Sequence, residues 1–586
     1  MKKVVSLLLA LAMTLSVMTT VFAESKSSIS VSLASEPDTL DPALNSAVDG
    51  ATMIVHLFAG LSTWDKNDEG QFVIVPDLAV ELPEGVLNED DTVTYTYTLK
   101  DGLVWSDGQP LTAKDFEFAW KRAASADLGA DYGYMFEVIK GYGEELAVKA
   151  LDDKTLEVTI NNVIPYWNEL LAFPTYFPVR EDVVANEAWA TDPSTYIGNG
   201  PYTMTGWEHD SVITLTKNPT YHAADTVLME EIKAFLSDDS NNMLANFKNG
   251  TWLLIDDVPV SEIASLKEEY PNEFVIAGQL GTYYVNLNVN KNLLPEGSEL
   301  TGVDAQKANE EIRKALTLLF DRNYIVTSIA QGGQQPASTF VAAGLTDADG
   351  STEFYQNAGN NEGFAGYFNV AEDAYMANFE AGMETLKKFY TFDEATGMFK
   401  DFPTLEYLYN TSAGHKAIAE YLQSVLAGIG ITINLVNQEW ATFLNTRKQG
   451  DYEIARNGWI GDYNDPISFL DMWTSESGNN DVQFGKGDHA DVAMYNLDLT
   501  PFGLDVKVEN GTWAQTYDVL IKAVKGSTNT EHRFAMMHLA EDMLMATGCL
   551  IPIYYYTDLY MVDSSVQGFF SIPLGYKYFK QVTISK

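Results

Sequence analysis

Two segments with the order helix, glycine, strand constrain the fold of this chain most. Helical periodicity over residues 416–427 stops at glycines before the alternating segment 431–437. A second helical pattern, 531–546, ends at Gly548 before the strand-like run 550–556. Glycine ends helices readily because it adopts the left-handed backbone conformation without steric strain. Such units build sheets covered by helices, so the sequence predicts an α/β fold rather than a helical bundle or a simple sandwich.

Further periodicities extend this pattern over the first part of the chain. Apolar residues alternate with polar ones at 29–33, 93–99 and 156–160, which predicts half-buried strands. Between the last two lie Thr112 and Asp115, a start typical of a capping box, followed by apolar residues at helical spacing. The sequence therefore predicts an amphipathic helix between two strands.

Length and charge limit the classes of protein to be considered. At about 150 residues per domain, 586 residues suggest three to four domains. The net charge of −46 argues against a nucleic-acid partner, because phosphate contacts need an excess of Lys and Arg. Cys549 is the only cysteine, so the chain cannot form an internal disulfide.

The N-terminus has the pattern of an export signal. Two lysines precede the apolar run 4–18, and small residues stand at the −3 and −1 positions of a cleavage site after Ala23. The run is shorter than the roughly 20 residues that span a bilayer, which argues against an anchor. We expect residues 1–23 to be a signal peptide and the mature protein to be exported. The residue directly after the cleavage site is Glu24 and not a cysteine, so we expect no lipid anchor there.

The sequence lacks the usual patterns of hydrolases and metal sites. It has no G-x-S-x-G elbow, H-E-x-x-H pair or phosphate-binding loop. His532 and His538 are six residues apart, which places them on different faces of a helix. The segment starting at Asp65 imitates a calcium loop, but Pro76 stands where the loop needs a glutamate. No cofactor or metal is predicted, although a carboxylate pair for glycoside hydrolysis stays open.

Candidate binding residues concentrate between residues 435 and 480. Two of the seven arginines, Arg447 and Arg456, lie there among aromatics and glycines. The planar guanidinium binds carboxylates through two parallel hydrogen bonds. Asp462 follows Trp459 by three residues and could bind an ammonium group. From these residues alone, the alternative also stands that the arginines pair with surface acids and that Asp462 serves a turn.

This stretch resembles the oligopeptide-binding proteins of ABC importers, in the peptide and nickel family of extracytoplasmic solute-binding proteins. The resemblance extends over essentially the whole mature chain. Matching segments occur in the family's order at 35–42, 99–116, 197–202 and 312–322.

The resemblance implies a two-lobed, three-domain α/β clamp, similar to periplasmic binding proteins, with mixed sheets covered by helices. It implies a discontinuous lobe I made of residues 24–60, 191–283 and 552–586. An accessory domain, 61–190, would pack on lobe I, and residues 284–551 would form lobe II. The clamp would close on a ligand held between the lobes.

The resemblance also implies the ligand-binding residues. Asp462 would bind the N-terminal ammonium of a peptide, and the segment Trp459, Ile460 and Gly461 would pair with its main chain. Trp440 would form a pocket wall. The remaining positions that match binding positions of relatives are His415, Arg447 and Arg456 for the C-terminal carboxylate, Asn479 and Asn480 near another pocket, Tyr134 from the accessory domain, and Ser46, where some relatives carry an acid.

The implied function is that of a monomeric, non-enzymatic receptor that passes short peptides to the permease subunits of an ABC importer. The acidic net charge favours neutral to basic peptides. An oligosaccharide receptor or a nickel or haem receptor of the same fold is the main alternative. A secreted hydrolase is the alternative from another class.

Overall fold

The computed structural model describes residues 27–33, 35–360 and 363–585. The predicted signal peptide, residues 1–23, lies outside the described residues. Within the described ranges, no helix combines the length and the apolar character needed to cross a membrane.

The strands, in chain order, are β1 Ser28–Leu33, β2 Ser62–Lys66, β3 Phe72–Pro76, β4 Val86–Leu87, β5 Val93–Thr98, β6 Val148–Ala150, β7 Thr155–Ile160, β8 Tyr202–Glu208, β9 Val212–Lys217, β10 Glu231–Leu236, β11 Leu254–Ile255, β12 Phe274–Leu287, β13 Gln335–Pro336, β14 Phe392–Asp393, β15 Met398–Phe399, β16 Leu405–Asn410, β17 Ile433–Gln438, β18 Ile454–Ile460, β19 Ala493–Asp498, β20 Lys507–Thr512, β21 Leu550–Val562, β22 Val566–Gln567, β23 Phe570–Ser571, β24 Lys577–Tyr578 and β25 Thr583–Ile584.

The α-helices, in chain order, are α1 Val48–Leu57, α2 Ala113–Ala123, α3 Trp167–Leu170, α4 Glu181–Val184, α5 Ser240–Lys248, α6 Ile263–Glu269, α7 Gly302–Thr317, α8 Arg322–Tyr324, α9 Tyr375–Leu386, α10 Ala413–Gly428, α11 Trp440–Lys448, α12 Trp513–Gly526 and α13 Thr530–Ala546.

One mixed sheet runs through both lobes and carries the site. Its strand order is β17-β16-β18-β12-β21-β11-β1-β10-β9-β8, with β13 paired to β21. β16 pairs with β17 and β18 in parallel, and β1 pairs with β10 in parallel, whereas β12 is antiparallel to both neighbours. The predicted mixed sheets covered by helices are confirmed.

Two long strands join the halves of this sheet. β12 and β21 pair along most of their lengths, with register irregularities between Gly278 and Thr282 and between Tyr283 and Tyr284. On one side β21 continues to β11 and the strands of lobe I, and on the other side β12 continues to β18 and the strands of lobe II. The lobes are therefore connected through a two-stranded crossing whose register is interrupted.

A separate four-stranded sheet, in the order β4-β5-β7-β6, lies within residues 61–190, the predicted accessory domain. The α2 helix packs on it with the predicted face inward, since Phe116 and Trp120 are fully buried. The backbone N–H of Thr112 donates to the Asp115 carboxylate at 2.7 Å, as expected of a capping box. The indole of Trp120 donates to the Tyr176 carbonyl at 2.8 Å, which fixes the helix against the rest of the domain.

The two helix-glycine-strand units are present as predicted, with changed ends. The first consists of α10 and β17, and the second of α13 and β21. Gly548 has φ +67°, and a Cβ there would lie 2.7 Å from the Arg313 side chain, so the turn requires glycine. The prediction ended the last strand at residue 556, but β21 continues to Val562 because β12 and β11 both pair with the extension.

Candidate ligand-binding site

A cavity of about 290 Å³ lies between the lobes and the accessory domain. Its walls come from the segment before α1 and the start of that helix, from the accessory domain, from β18 with the loop after it, and from the C-terminal region. Ten of the predicted site residues line it: Ser46, His415, Trp440, Arg447, Arg456, Trp459, Ile460, Gly461, Asp462 and Asn479. Tyr134 and Asn480 are not among the lining residues.

Asp462 is a buried carboxylate bound by hydroxyl groups. The Tyr132 hydroxyl donates to Oδ1 at 2.9 Å, and the Ser468 hydroxyl donates to Oδ2 at 3.5 Å while accepting the Asp462 backbone N–H at 2.8 Å. Within the described part of the chain, Asp462 forms no ion pair with a basic side chain. Burial, and secondarily the charge of Asp471, raise the pKa of Asp462 well above its ordinary value. A cation bound beside this carboxylate would restore its ionised form.

The accessory domain contributes Tyr132 rather than the predicted Tyr134. Tyr132 lines the cavity with Phe173, and their rings meet edge to face with centroids 4.9 Å apart. Tyr134 lies two residues further on and is fully buried, with the ammonium of Lys525 located 5.5 Å from its ring centroid. The family resemblance pointed to this segment but to Tyr134, whereas Tyr132 is the tyrosine that lines the cavity.

β18 has an unpaired edge along the cavity. β12 pairs with it from Ile454 to Ile460, whereas β16 pairs with Ile454 and Ala455 alone. The N–H of Gly461 donates to the Leu280 carbonyl of β12 at 2.8 Å. Because successive main-chain groups of a strand point to opposite edges, those of residues 458 and 460 face away from β12, toward the open edge. An added strand would pair with this edge by replacing the bond that the Gly458 N–H donates to Asn457 Oδ1 at 2.8 Å.

Glycine is required in this strand. A Cβ at Gly458 would lie 2.2 Å from the Tyr556 hydroxyl, which also lines the cavity. Trp459, the next residue, points to the other face of the sheet, where its indole donates to the Ser468 carbonyl at 2.8 Å. The strand thus presents backbone to the cavity at 458 and is anchored through Trp459.

Arg456 is a buried guanidinium surrounded by aromatic rings. It lies over Tyr283 and Trp440, with its central carbon 5.5 and 5.8 Å from their ring centroids. Across the described ranges, Arg456 pairs with no carboxylate, and its Nε has no hydrogen-bond partner. It is therefore available to bind an anion that enters the cavity.

The two other basic residues predicted to bind a carboxylate, Arg447 and His415, are not unpaired cations. Arg447 pairs with Asp481, with 2.7 Å between Nε and Oδ2, and both side chains are buried. Burial, aided by the charge of Arg456, holds the pKa of His415 well below its ordinary value, so its imidazole is neutral. Of the three residues expected to bind a carboxylate, Arg456 alone is a cation that is not already paired.

Besides Asp481, the partner of Arg447, two further charged residues that line the cavity have no counterpart in the sequence prediction. Lys448 pairs with Asp131 of the accessory domain and also donates to Ser46, so it links lobe II to both. Asp49, in the first turn of α1, lines the cavity with both oxygens shielded from solvent and without a hydrogen bond of normal geometry. Burial raises the pKa of Asp49 to about 7. Adjacency to Arg447 was the one sequence signal for Lys448.

The two predicted asparagines have separate roles. Asn479 lines the cavity and is buried. Asn480 organises the loop instead, since its amide donates to the Phe484 carbonyl at 2.9 Å and its oxygen accepts the Phe484 N–H at 3.0 Å. In the part of the chain that the structure describes, no three His, Cys, Asp or Glu side chains cluster as a metal site would require.

Several contacts join lobe II to the accessory domain through residues that do not line this cavity. Lys525 of lobe II lies 2.9 Å from Glu137 of the accessory domain and 3.1 Å from Asp471. The rings of Tyr166 and Tyr463 stack across the same boundary with centroids 4.3 Å apart. The lobes are thus in contact on the side of the accessory domain, as in a closed clamp.

The comparison with protein families identifies the chain's relatives. The model of the bacterial extracellular solute-binding proteins, family 5, middle region, matches residues 73–481. This chain belongs to that family. The predicted family resemblance and the two-lobed fold class are therefore confirmed.

Individual relatives agree with this membership. The oligopeptide-binding protein OppA of Bacillus subtilis is 29% identical over 95% of this chain and 92% of its own length. Two solved structures align with 24% sequence identity. The murein tripeptide binding protein MppA of Escherichia coli aligns over 97% of this chain and 100% of its own, with a TM-score of 0.78. Haemophilus influenzae OppA in complex with RPPGFSPFR aligns over 96% of this chain and 99% of its own, with a TM-score of 0.77. At this identity the structural likeness shows the fold.

Proposed function

We propose that this family member is an exported receptor that holds short peptides in extended form between its lobes and delivers them to the permease of an ABC importer. The observation that carries the proposal is one cavity that contains an unpaired buried carboxylate, Asp462, and an unpaired buried guanidinium, Arg456. Burying an isolated charge is unfavourable, so the cavity favours a ligand with an ammonium and a carboxylate. A free peptide has both.

The spacing of the two charges supports a short, extended ligand. Arg456 and Asp462 are six positions apart, about 20 Å along an extended strand before their side chains reach inward. The open edge of β18 lies between them and offers main-chain groups that any peptide can pair with. The cavity volume of about 290 Å³ is near the lower end of common ligand sites, which are about 300–1,000 Å³.

Two relatives support the same ligand class, since the B. subtilis relative is an oligopeptide-binding protein and the H. influenzae structure contains a nonapeptide. We also propose the domain division given above. Its boundaries between lobe I and lobe II lie near residues 283 and 552, within the paired strands β12 and β21. A monomeric state is part of the same proposal. Export through residues 1–23 and a non-enzymatic role are parts of the same proposal.

A thermal-shift panel tests this proposal. The mature protein is unfolded and refolded to remove co-purified ligand, then mixed at millimolar concentration with free peptides of about two to six residues, their N-acetylated and C-amidated forms, and oligosaccharides. Bound ligand raises stability by RT ln(1 + [L]/Kd), so micromolar binding is visible. We expect free peptides to stabilise the protein and both blocked forms to lose most of the effect.

Two outcomes would overturn it. Stabilisation by oligosaccharides with none by peptides would keep the clamp and change the ligand class. Equal stabilisation by free, N-acetylated and C-amidated peptides would refute the roles of Asp462 and Arg456.

A further inference from the structure

One buried carboxylate in the cavity would have no ion-pair partner even with a zwitterionic peptide bound. Arg447 and Lys448 are paired with Asp481 and Asp131. The ammonium and the carboxylate of a peptide would neutralise Asp462 and Arg456. Asp49 is left as a buried carboxylate with no ion-pair partner among the residues that the structure describes.

The surroundings of Asp49 have the features of a binding position. The nearest donors are its own backbone N–H, that of Gly50 and the indole of Trp440, which approaches from lobe II. The charge of Asp38, earlier in the chain, repels the Asp49 carboxylate. On the facing elements, the cations Lys448 and Arg456 also line the cavity. Asp49 and Trp440 thus form a carboxylate and an aromatic wall that meet only when the lobes are in contact.

We propose that Asp49 is the acceptor of a subsite for a basic side chain of the bound peptide, lysine or arginine. This inference rests on the proposed function and deepens it. The ammonium or guanidinium would supply the missing positive charge, and the apolar stem would pack beside Trp440. A buried carboxylate that is satisfied by a ligand cation selects for that cation, since a neutral side chain leaves the carboxylate unpaired.

The test compares lysine with norleucine, which keeps the methylene chain and lacks the ammonium. Calorimetry on ligand-stripped protein at pH 8 measures Kd for tri-alanine variants with lysine or norleucine at position one, two or three. We expect at least one position at which lysine binds tenfold more tightly or better. In Asp49→Asn that ratio falls to within about twofold of one, whereas norleucine peptides keep their affinity.

Asp451→Asn is the control, because it removes the same charge from an exposed position that does not line the cavity. We expect it to leave the lysine preference unchanged. The inference is overturned if norleucine peptides bind and no lysine position is preferred, or if the preference survives in Asp49→Asn. The wild-type comparison stands even if that variant does not fold. Failure of every peptide to bind would instead refute the proposed function.

Discussion

At the residue scale, Asp462 carries the strongest prediction. An Asp462→Asn variant keeps the shape and the contact with Tyr132 but offers no charge to a peptide ammonium. Breaking one partner of a buried ion pair costs about 3–5 kcal/mol, so we expect the affinity for free peptides to fall roughly 100-fold or more. Calorimetry checks this with Asp451→Asn, an exposed acid, as the control. A loss of less than tenfold would contradict the assignment.

The pKa of Asp49 predicts a pH-dependent stability of the ligand-free protein. Its pKa is about 7 in the folded protein and near its ordinary value of 3.8 in the unfolded chain. The folded state therefore holds this proton to higher pH, and the free energy of unfolding declines as pH rises from about 4 to 7. The asparagine of Asp49→Asn cannot ionise, so the free energy of unfolding of this variant lacks this contribution to the decline.

Melting curves of wild type and Asp49→Asn measure the effect. We expect equal midpoints near pH 4 and a midpoint several degrees higher for the variant at pH 8. The facing charged groups Asp38, Lys448 and Arg456 are present in both proteins and cancel in the comparison. A difference that does not change with pH would contradict the burial of an unpaired Asp49 carboxylate.

At the element scale, the role proposed for the open edge of β18 predicts that a side chain added to this strand weakens peptide binding. Gly458→Ala would place a Cβ 2.2 Å from the Tyr556 hydroxyl. Overpacking of this kind costs about 1–3 kcal/mol, so we expect a lower melting midpoint and weaker peptide binding. Gly428→Ala, at the end of α10 where a Cβ meets nothing within 4 Å, is the matched control. Equal effects of the two substitutions would contradict the account of β18.

The helices and strands were easier to predict from the sequence than the contacts between them. Periodicity and glycine located α10, β17, α13 and the start of β21, because these signals are local. The continuation of β21 depends on pairing with distant strands, which no local pattern reports. Likewise, the choice of Tyr132 over Tyr134 and the burial of Asp49 arise only when three separate segments meet at the cavity.

For the binding residues, likewise, position along the chain was predictable, whereas pairing and charge state were not. The resemblance located residues on one continuous stretch, from Trp440 to Asn479, because they share a strand and its flanks. It did not show that Arg447 is already paired or that His415 is neutral, since both follow from burial. Ordinary side-chain chemistry made these residues candidates, and tertiary packing determined which of them are free.

At the scale of the whole molecule, contacts between lobe II and the accessory domain favour the closed arrangement. Glu137→Gln removes the charge that faces Lys525 and leaves Lys525 its contact with Asp471. A partly exposed pair contributes about 1 kcal/mol, so we expect peptide affinity to fall severalfold and the ligand-free protein to have a larger radius of gyration. Calorimetry and X-ray scattering check this, with the exposed Glu144→Gln as control. An unchanged affinity would show that this pair does not stabilise closure.

The most direct test of the central claim is a crystal structure of the refolded, ligand-stripped protein with tri-alanine. We predict an extended peptide paired with the open edge of β18, its ammonium nitrogen within hydrogen-bond distance of the Asp462 carboxylate and its carboxylate directed toward Arg456. A peptide bound in the opposite direction, or outside the cavity between the lobes, would contradict the account.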